Sequence, residues 1–293
     1  MAQSSWQIWL LAARPKTLPA AAAPVIIGSA MAHSGGGGHW LSALAAMIGA
    51  LLIQIGTNFA NDYFDFKKGS DSADRLGPLR VTQAGLVTPE AMKRATIIVF
   101  TLAIIVGVYL VWRGGWPIMT IGLLSVLFGV LYTGGPYPLG YHGLGELFVL
   151  IFFGPVAVGG AYYVQTLDIN LAVIIAGFAP GLFSVAILTV NNLRDLENDR
   201  ASGKRTLAVR YGHSFALHEY NWSLFAACTI PLVLTLLFHG PPLAMLASLT
   251  AVPAIIAMRK VATSTGRDLN DCLAVTGRLL LIYSLLFSLG WIL

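Results

Sequence analysis

Two short stretches carry an unusual density of oxygen-bearing side chains. In NFANDYFDFKKGSD, residues 58 to 71, Asn58, Asn61, Asp62 and Asp65 are spaced i, i+3, i+4, i+7. On a helix, at roughly 100° per residue, all four share an arc of roughly 100°. In NNLRDLENDRASGKRT, residues 191 to 206, Asn191, Asn192, Asp195 and Asp199 share a similar arc, while Glu197 points to the opposite side. Each stretch runs on into glycine and a basic segment, KKGSDSADRLGPLRVTQAG in the first case and RASGKRTLAVRYG in the second. The two form a degenerate internal repeat about 130 residues apart.

Two acidic faces brought together in a partly dry site repel unless cations neutralise them. Hard oxygen donors without His or Cys favour Mg²⁺, which commonly uses a few carboxylates together with the phosphates of a substrate. The basic segments complete the pattern, because Lys and Arg hold phosphate oxygens by charge-assisted hydrogen bonds. The chemistry expected is stabilisation of a diphosphate as a leaving group.

The elements that must position these residues are membrane helices. The chain has 293 residues, 56% hydrophobic and only 11% charged, with mean hydropathy +0.74. That is more apolar surface than a soluble domain of this length buries. Nine stretches are long enough to span a bilayer, near residues 17–33, 40–62, 95–112, 116–133, 144–165, 170–192, 215–238, 242–259 and 272–293. The fold class expected is all-α, a polytopic membrane bundle of nine transmembrane helices forming a single domain over 1–293. Residues 1–14 read as an interfacial segment, with Trp6 and Trp9 near the headgroups and the apolar part ahead of the charges, the reverse of a signal peptide.

Lys and Arg set the orientation. Lys67, Lys68, Arg75, Arg80, Lys93 and Arg94, then Arg194 to Arg210, then Arg259, Lys260 and Arg267 follow the second, sixth and eighth stretches, whereas the opposite side has Arg113 as its flanking positive charge. The N-terminus and both acidic faces are therefore expected on the cytoplasmic side, in a bacterial inner or plasma membrane. The net charge of +5 reads as topology and ligand binding, with no nucleic-acid partner. Cys228 and Cys272 lie in predicted spans and suggest neither a disulfide nor a metal site. A diphosphate at the interface with its tail in the bilayer suggests an isoprenoid, and loss of an allylic diphosphate leaves a carbocation that must be kept from water.

The motifs NDYFD after the second helix and DLEND after the sixth resemble the N-D-x-x-D and D-x-x-x-D signatures of the UbiA-type intramembrane prenyltransferases. The segments ARPKTLPAA, DRLGPLR and NNLRDLENDRASGKRTLAVRYG are similar to the 1,4-dihydroxy-2-naphthoate prenyltransferase branch. The resemblance implies Asp62, Asp65, Asp195 and Asp199 as catalytic Mg²⁺ ligands supported by Asn58, Asn61, Asn191 and Asn192. Lys68, Arg75, Arg80, Lys204 and Arg205 become diphosphate candidates, and Arg14 and Lys16 could meet the aromatic acid or the diphosphate. Gly69 stands where a last aspartate of the commoner pattern is expected, and Asp71 follows two residues later.

The implied reaction replaces the carboxyl of the naphthoate by a polyprenyl group, with loss of CO₂ and diphosphate, giving a demethylated quinol. In YTGGPYPLGYHGLGE, residues 132 to 146, Tyr132, Tyr137 and Tyr141 are candidates to line an acceptor pocket, as is Glu146, although the Gly and Pro content reads equally well as tight turns. Other acceptors, such as 4-hydroxybenzoate or homogentisate, remain open. A cation or proton transporter is a further reading, but its carboxylates would be expected near the midplane on broken helices rather than at one side.

Overall fold

The computed structural model describes residues 4–69 and 76–293, so Asp71 and Arg75 lie outside the described residues. With no water in the hydrocarbon core, a spanning backbone must satisfy its own hydrogen bonds, and the regular elements among the described residues are all helices. These are α1 (Ser5–Ala13), α2 (Leu18–Ser34), α3 (Trp40–Lys67), α4 (Pro89–Leu131), α5 (Gly145–Phe152), α6 (Pro155–Thr166), α7 (Leu171–Arg194), α8 (Leu196–Ala201), α9 (Leu207–Phe238), α10 (Ala251–Thr263) and α11 (Leu269–Ile292), with short 3₁₀ turns between some of them.

Seven helical segments among the described residues are long and apolar enough to cross a membrane. One of them, α4, is 43 residues long and breaks at Gly115, whose φ of 68° with ψ of −155° is open only to glycine, so it supplies two crossings. The helix α2, 17 residues long, adds another. The bundle therefore matches the nine crossings expected from sequence. The expected stretch 144–165 is divided at Phe153 and Gly154 into α5 and α6, because Pro155 has no N–H to continue the ladder. The seventh stretch begins earlier than expected, at Leu207, and α9 bends at Gly212. The eighth opens as a 3₁₀ stretch, Pro242–Thr250, before α10.

At the centre lie α7 and α11, each more than half buried, while α4 is peripheral and largely exposed. Small residues let the backbones approach, as membrane helices require in the absence of a hydrophobic drive between them. Ala20, Ala23, Ala176, Ala179, Ala186, Ala216 and Ala227 share one core with Phe183, Tyr220 and Tyr283. A smaller cluster joins Ala12 and Trp9 of α1 to Phe59 of α3 and to Val81 and Val87 in the following loop. The helix α1 is thereby tied to the segment that carries the first acidic face. Both cysteines are buried and free.

Candidate active site

The first acidic face forms as the spacing predicts. Near the C-terminal end of α3, Asn58, Asp62 and Asp65 are buried, the two aspartates at 1% exposure each. The second face differs. The helix α7 ends at Arg194, Asp195 caps it with φ −95° and ψ 6°, and α8 carries Asp199, so the arc is broken by one non-helical residue. The Asp199 N–H still donates to the Asp195 carbonyl at 2.7 Å, which keeps both carboxylates buried. Glu197 stands outside, exposed and paired with Arg200.

The two faces meet at one ammonium group. Lys204 Nζ lies 3.8 Å from Asp65 Oδ1 and 3.6 Å from Asp199 Oδ1. Arg80 Nη2 donates to Asp65 Oδ2 at 2.6 Å, and the Thr82 N–H donates to Asp62 Oδ1 at 3.1 Å. Tyr141, expected in an acceptor pocket, donates its hydroxyl to Asp65 Oδ1 at 2.8 Å. Its ring centroid is 4.9 Å from Lys68 Nζ and 4.7 Å from Lys204 Nζ, within cation–π range of both. Its carbonyl accepts from the Arg205 N–H at 2.8 Å. Tyr141 thus touches basic residues that follow both halves of the repeat.

The remaining candidates divide between the site and its scaffold. Lys68 Nζ donates to the Thr133 carbonyl, and Thr133 Oγ1 donates to Asn61 Oδ1. Lys68 is exposed as a residue, yet desolvation of its ammonium lowers its pKa, with Asp65 opposing the shift and Lys204 adding to it. Asn58 donates to the Ala13 carbonyl and Thr17 Oγ1, so it ties α3 to the α1–α2 junction. Asn192 donates to Glu146 Oε1 at 2.8 Å, and Asn191 Oδ1 accepts from Arg194. The Tyr132 ring lies against Gly140 and its hydroxyl against Gly145, the residue before Glu146. Tyr137 is exposed and stacked on His142, apart from the acids. Arg205 and Lys16 are also exposed, while Arg14 is half-buried in a left-handed conformation, φ 53°, between α1 and α2.

Two residues escaped the sequence reading. Arg194, counted there only as a topology charge, is 3% exposed and grips Asp195 with two hydrogen bonds, Nε to Oδ1 at 2.9 Å and Nη2 to Oδ2 at 2.5 Å. Its Nη1 donates to Asn270 Oδ1 at 2.9 Å, and Asn270 Nδ2 donates to the Leu76 carbonyl. The first basic loop is thereby fastened across the second acidic face to α11. The one available signal was the adjacency of an arginine to the first aspartate of D-x-x-x-D.

Whether Mg²⁺ fits can be judged from the donors. Among the described residues, no three His, Cys, Asp or Glu side chains converge as a closed cage. Instead Asp65 and Asp199 share the Lys204 ammonium, which suits an ion that takes one or two carboxylates and completes its shell with substrate oxygens and water. Asp62 argues most directly for a cation: it is buried, and its hydrogen bonding among the described residues is the single Thr82 N–H. A buried carboxylate with one neutral donor is poorly compensated. The donor set fits Mg²⁺.

Residues 21–287 match the model of the UbiA prenyltransferase family. The chain is 43% identical over 233 residues to 1,4-dihydroxy-2-naphthoate octaprenyltransferase of Escherichia coli strain K12, covering 78% of this chain and 74% of that one. It is 36% identical over 283 residues to the Mycobacterium tuberculosis protein of the same name, covering 96% of both. Its fold is similar to that of a UbiA homolog from Archaeoglobus fulgidus solved with GPP and Mg²⁺, with TM-score 0.64 at 14% identity, over 96% of this chain and 99% of that one. With two acidic faces meeting at a shared lysine inside a helical membrane bundle, and with this match over most of its length, the chain belongs to the UbiA prenyltransferase family.

Proposed function

We propose that the protein transfers a polyprenyl group from an allylic diphosphate to 1,4-dihydroxy-2-naphthoate, releasing diphosphate and CO₂ and leaving a demethylated quinol. The observation that carries this reading is Lys204 lying within 4 Å of carboxylates from both halves of the repeat. One basic centre serving two acidic faces is what a diphosphate bound together with divalent cations requires. The names of the Escherichia coli and Mycobacterium tuberculosis relatives support the naphthoate as acceptor.

In this reading Asp62, Asp65, Asp195 and Asp199 would hold Mg²⁺, with Asn61 and Asn191 beside them. Bound Mg²⁺ supplies neutralisation of the diphosphate as charge grows on it. Lys68, Arg80 and Lys204 bind its oxygens and hold the scissile C–O bond toward the bundle interior. Tyr141 and Arg194 fix the positions of Asp65, the two lysines and Asp195. The buried surroundings keep water from the allylic cation. Tyr132, with Glu146 and Asn192 behind it, faces the acceptor. Attack of the ring carbon bearing the carboxyl is followed by loss of CO₂, which restores aromaticity. The chain works as a multi-pass membrane protein with N-terminus and site on the cytoplasmic side of a bacterial membrane, a placement supported by the Lys and Arg distribution.

The test is product mass from purified protein given geranylgeranyl diphosphate with either 1,4-dihydroxy-2-naphthoate or 4-hydroxybenzoate. A prenylated, decarboxylated naphthoquinone is expected from the first acceptor alone. Product only from 4-hydroxybenzoate would overturn the acceptor assignment and leave the prenyl transfer standing.

A further inference from the structure

Gln54 stands on the face of α3 that carries the first set of acids, and the sequence reading gave it no role. At roughly 100° per residue Gln54, Asn58, Asp62 and Asp65 fall within an arc of about 80°. The next positions along that arc are Leu51 and Met47, so Gln54 is the last polar side chain before the face turns apolar. It is 9% exposed, inside a helix long and apolar enough to cross the membrane. A buried amide in such a helix calls for a partner at each of its two ends.

One end is paired. Gln54 Nε2 donates to Thr17 Oγ1 at 3.3 Å, and Asn58 Nδ2 donates to the same oxygen at 3.0 Å. The Thr17 hydroxyl commits its single proton to the Arg14 carbonyl at 3.0 Å, so toward Gln54 it can only accept. That fixes which way the amide is turned. Gln54 Oε1 carries no hydrogen bond among the described residues, and it is not walled in by protein atoms. It is an acceptor held in place and open to a donor from a ligand.

The position suits the aromatic acceptor rather than the diphosphate. Eight residues at 1.5 Å each put Gln54 about 12 Å along the axis from Asp62, away from the end of α3 that holds the acids. An amide oxygen repels phosphate and takes a hydrogen bond from a hydroxyl. The Thr17 hydroxyl that orients Gln54 also holds the backbone of Arg14, a candidate for the aromatic acid. In 1,4-dihydroxy-2-naphthoate the 1-hydroxyl lies beside the carboxylate and donates to it internally, which leaves the 4-hydroxyl as the free donor.

We propose that Gln54 Oε1 accepts a hydrogen bond from the 4-hydroxyl of the acceptor, and so selects the ring and sets how it is turned toward the allylic carbon. The assignment rests on the naphthoate reading above. An acid without that hydroxyl leaves Oε1 unpaired, the situation in which a hydrogen-bonding pocket discriminates most strongly.

The test compares kcat/KM for 1,4-dihydroxy-2-naphthoate and for 1-hydroxy-2-naphthoate in wild type and Gln54→Met, the second acid being measured as a competitor where it is not turned over. Taking the ratio of the two acids, and comparing it between wild type and variant, cancels their intrinsic reactivities. Wild type should favour the dihydroxy acid, and Gln54→Met should lower that preference about tenfold, with KM for the prenyl diphosphate at its wild-type value. If Gln54→Met does not fold, as judged by its thermal melt, Thr17→Val carries the same comparison: it frees the amide to turn over, and the preference should fall there too. An unchanged preference, whether from no loss or from equal losses on both acids, overturns the proposal. Wild type that makes no product from the dihydroxy acid would overturn the naphthoate reading itself, and this proposal with it.

Discussion

Tyr141 shows how one side chain can join two halves of a repeat. Its hydroxyl holds Asp65 and its ring lies within 5 Å of both Lys68 and Lys204. Tyr141→Phe keeps the ring and should lower kcat/KM about tenfold, as loss of a hydrogen bond to a charged group worth ~1.4 kcal/mol would. Tyr141→Leu removes the cation–π contacts as well and should cost roughly a further tenfold, read mainly as a higher KM for the diphosphate. Equal kinetics for the two variants would remove the ring from the account. Glu197→Ala should change turnover less than twofold, because that carboxylate faces solvent against Arg200 and surface pairs contribute little. The acids themselves were legible from 3.6-residue periodicity. The roles of Tyr141, Arg194 and Asn270 were not, because they depend on which loops cross the bundle end, and no local pattern encodes that.

Nine membrane stretches were readable as elements because hydropathy reports directly on the solvent each helix must enter. Their interruptions were less so. Where Pro155 divides the fifth stretch the chain also packs closely on α7: a Cβ on Gly177 would stand 2.6 Å from the Pro155 Cα. Gly177→Ala should therefore destabilise the folded protein by about 1–3 kcal/mol, visible as a lower melting temperature in detergent. Gly107, in the lipid-facing α4, has no atom within 4 Å of such a Cβ, and Gly107→Ala should leave the melt unchanged or raise it slightly. A similar response at both positions would show that helix approach at Gly177 is not limiting. The second acidic face illustrates the same limit, since a continuous helix was expected and the chain turns at Asp195, where Arg194 holds the carboxylate.

At the scale of the whole molecule, the repeat places one acidic face at the end of α3 and the other at the α7–α8 junction, and the bundle closes so that Lys204 reaches both. Neither face is complete alone: among the described residues Asp62 is buried with one neutral donor, while Asp195 is held by its own neighbour. The central claim is that acids from both halves act on a single diphosphate with divalent cations. The most direct measurement is inorganic diphosphate released over time by purified protein given a prenyl diphosphate and 1,4-dihydroxy-2-naphthoate, with Mg²⁺ or with excess EDTA, for wild type, Asp62→Ala and Asp195→Ala, each shown to be folded by its thermal melt. Release should occur only in wild type with Mg²⁺, and loss of either face should abolish it. Near-normal release by either variant, or by wild type in EDTA, would contradict a shared, metal-dependent site.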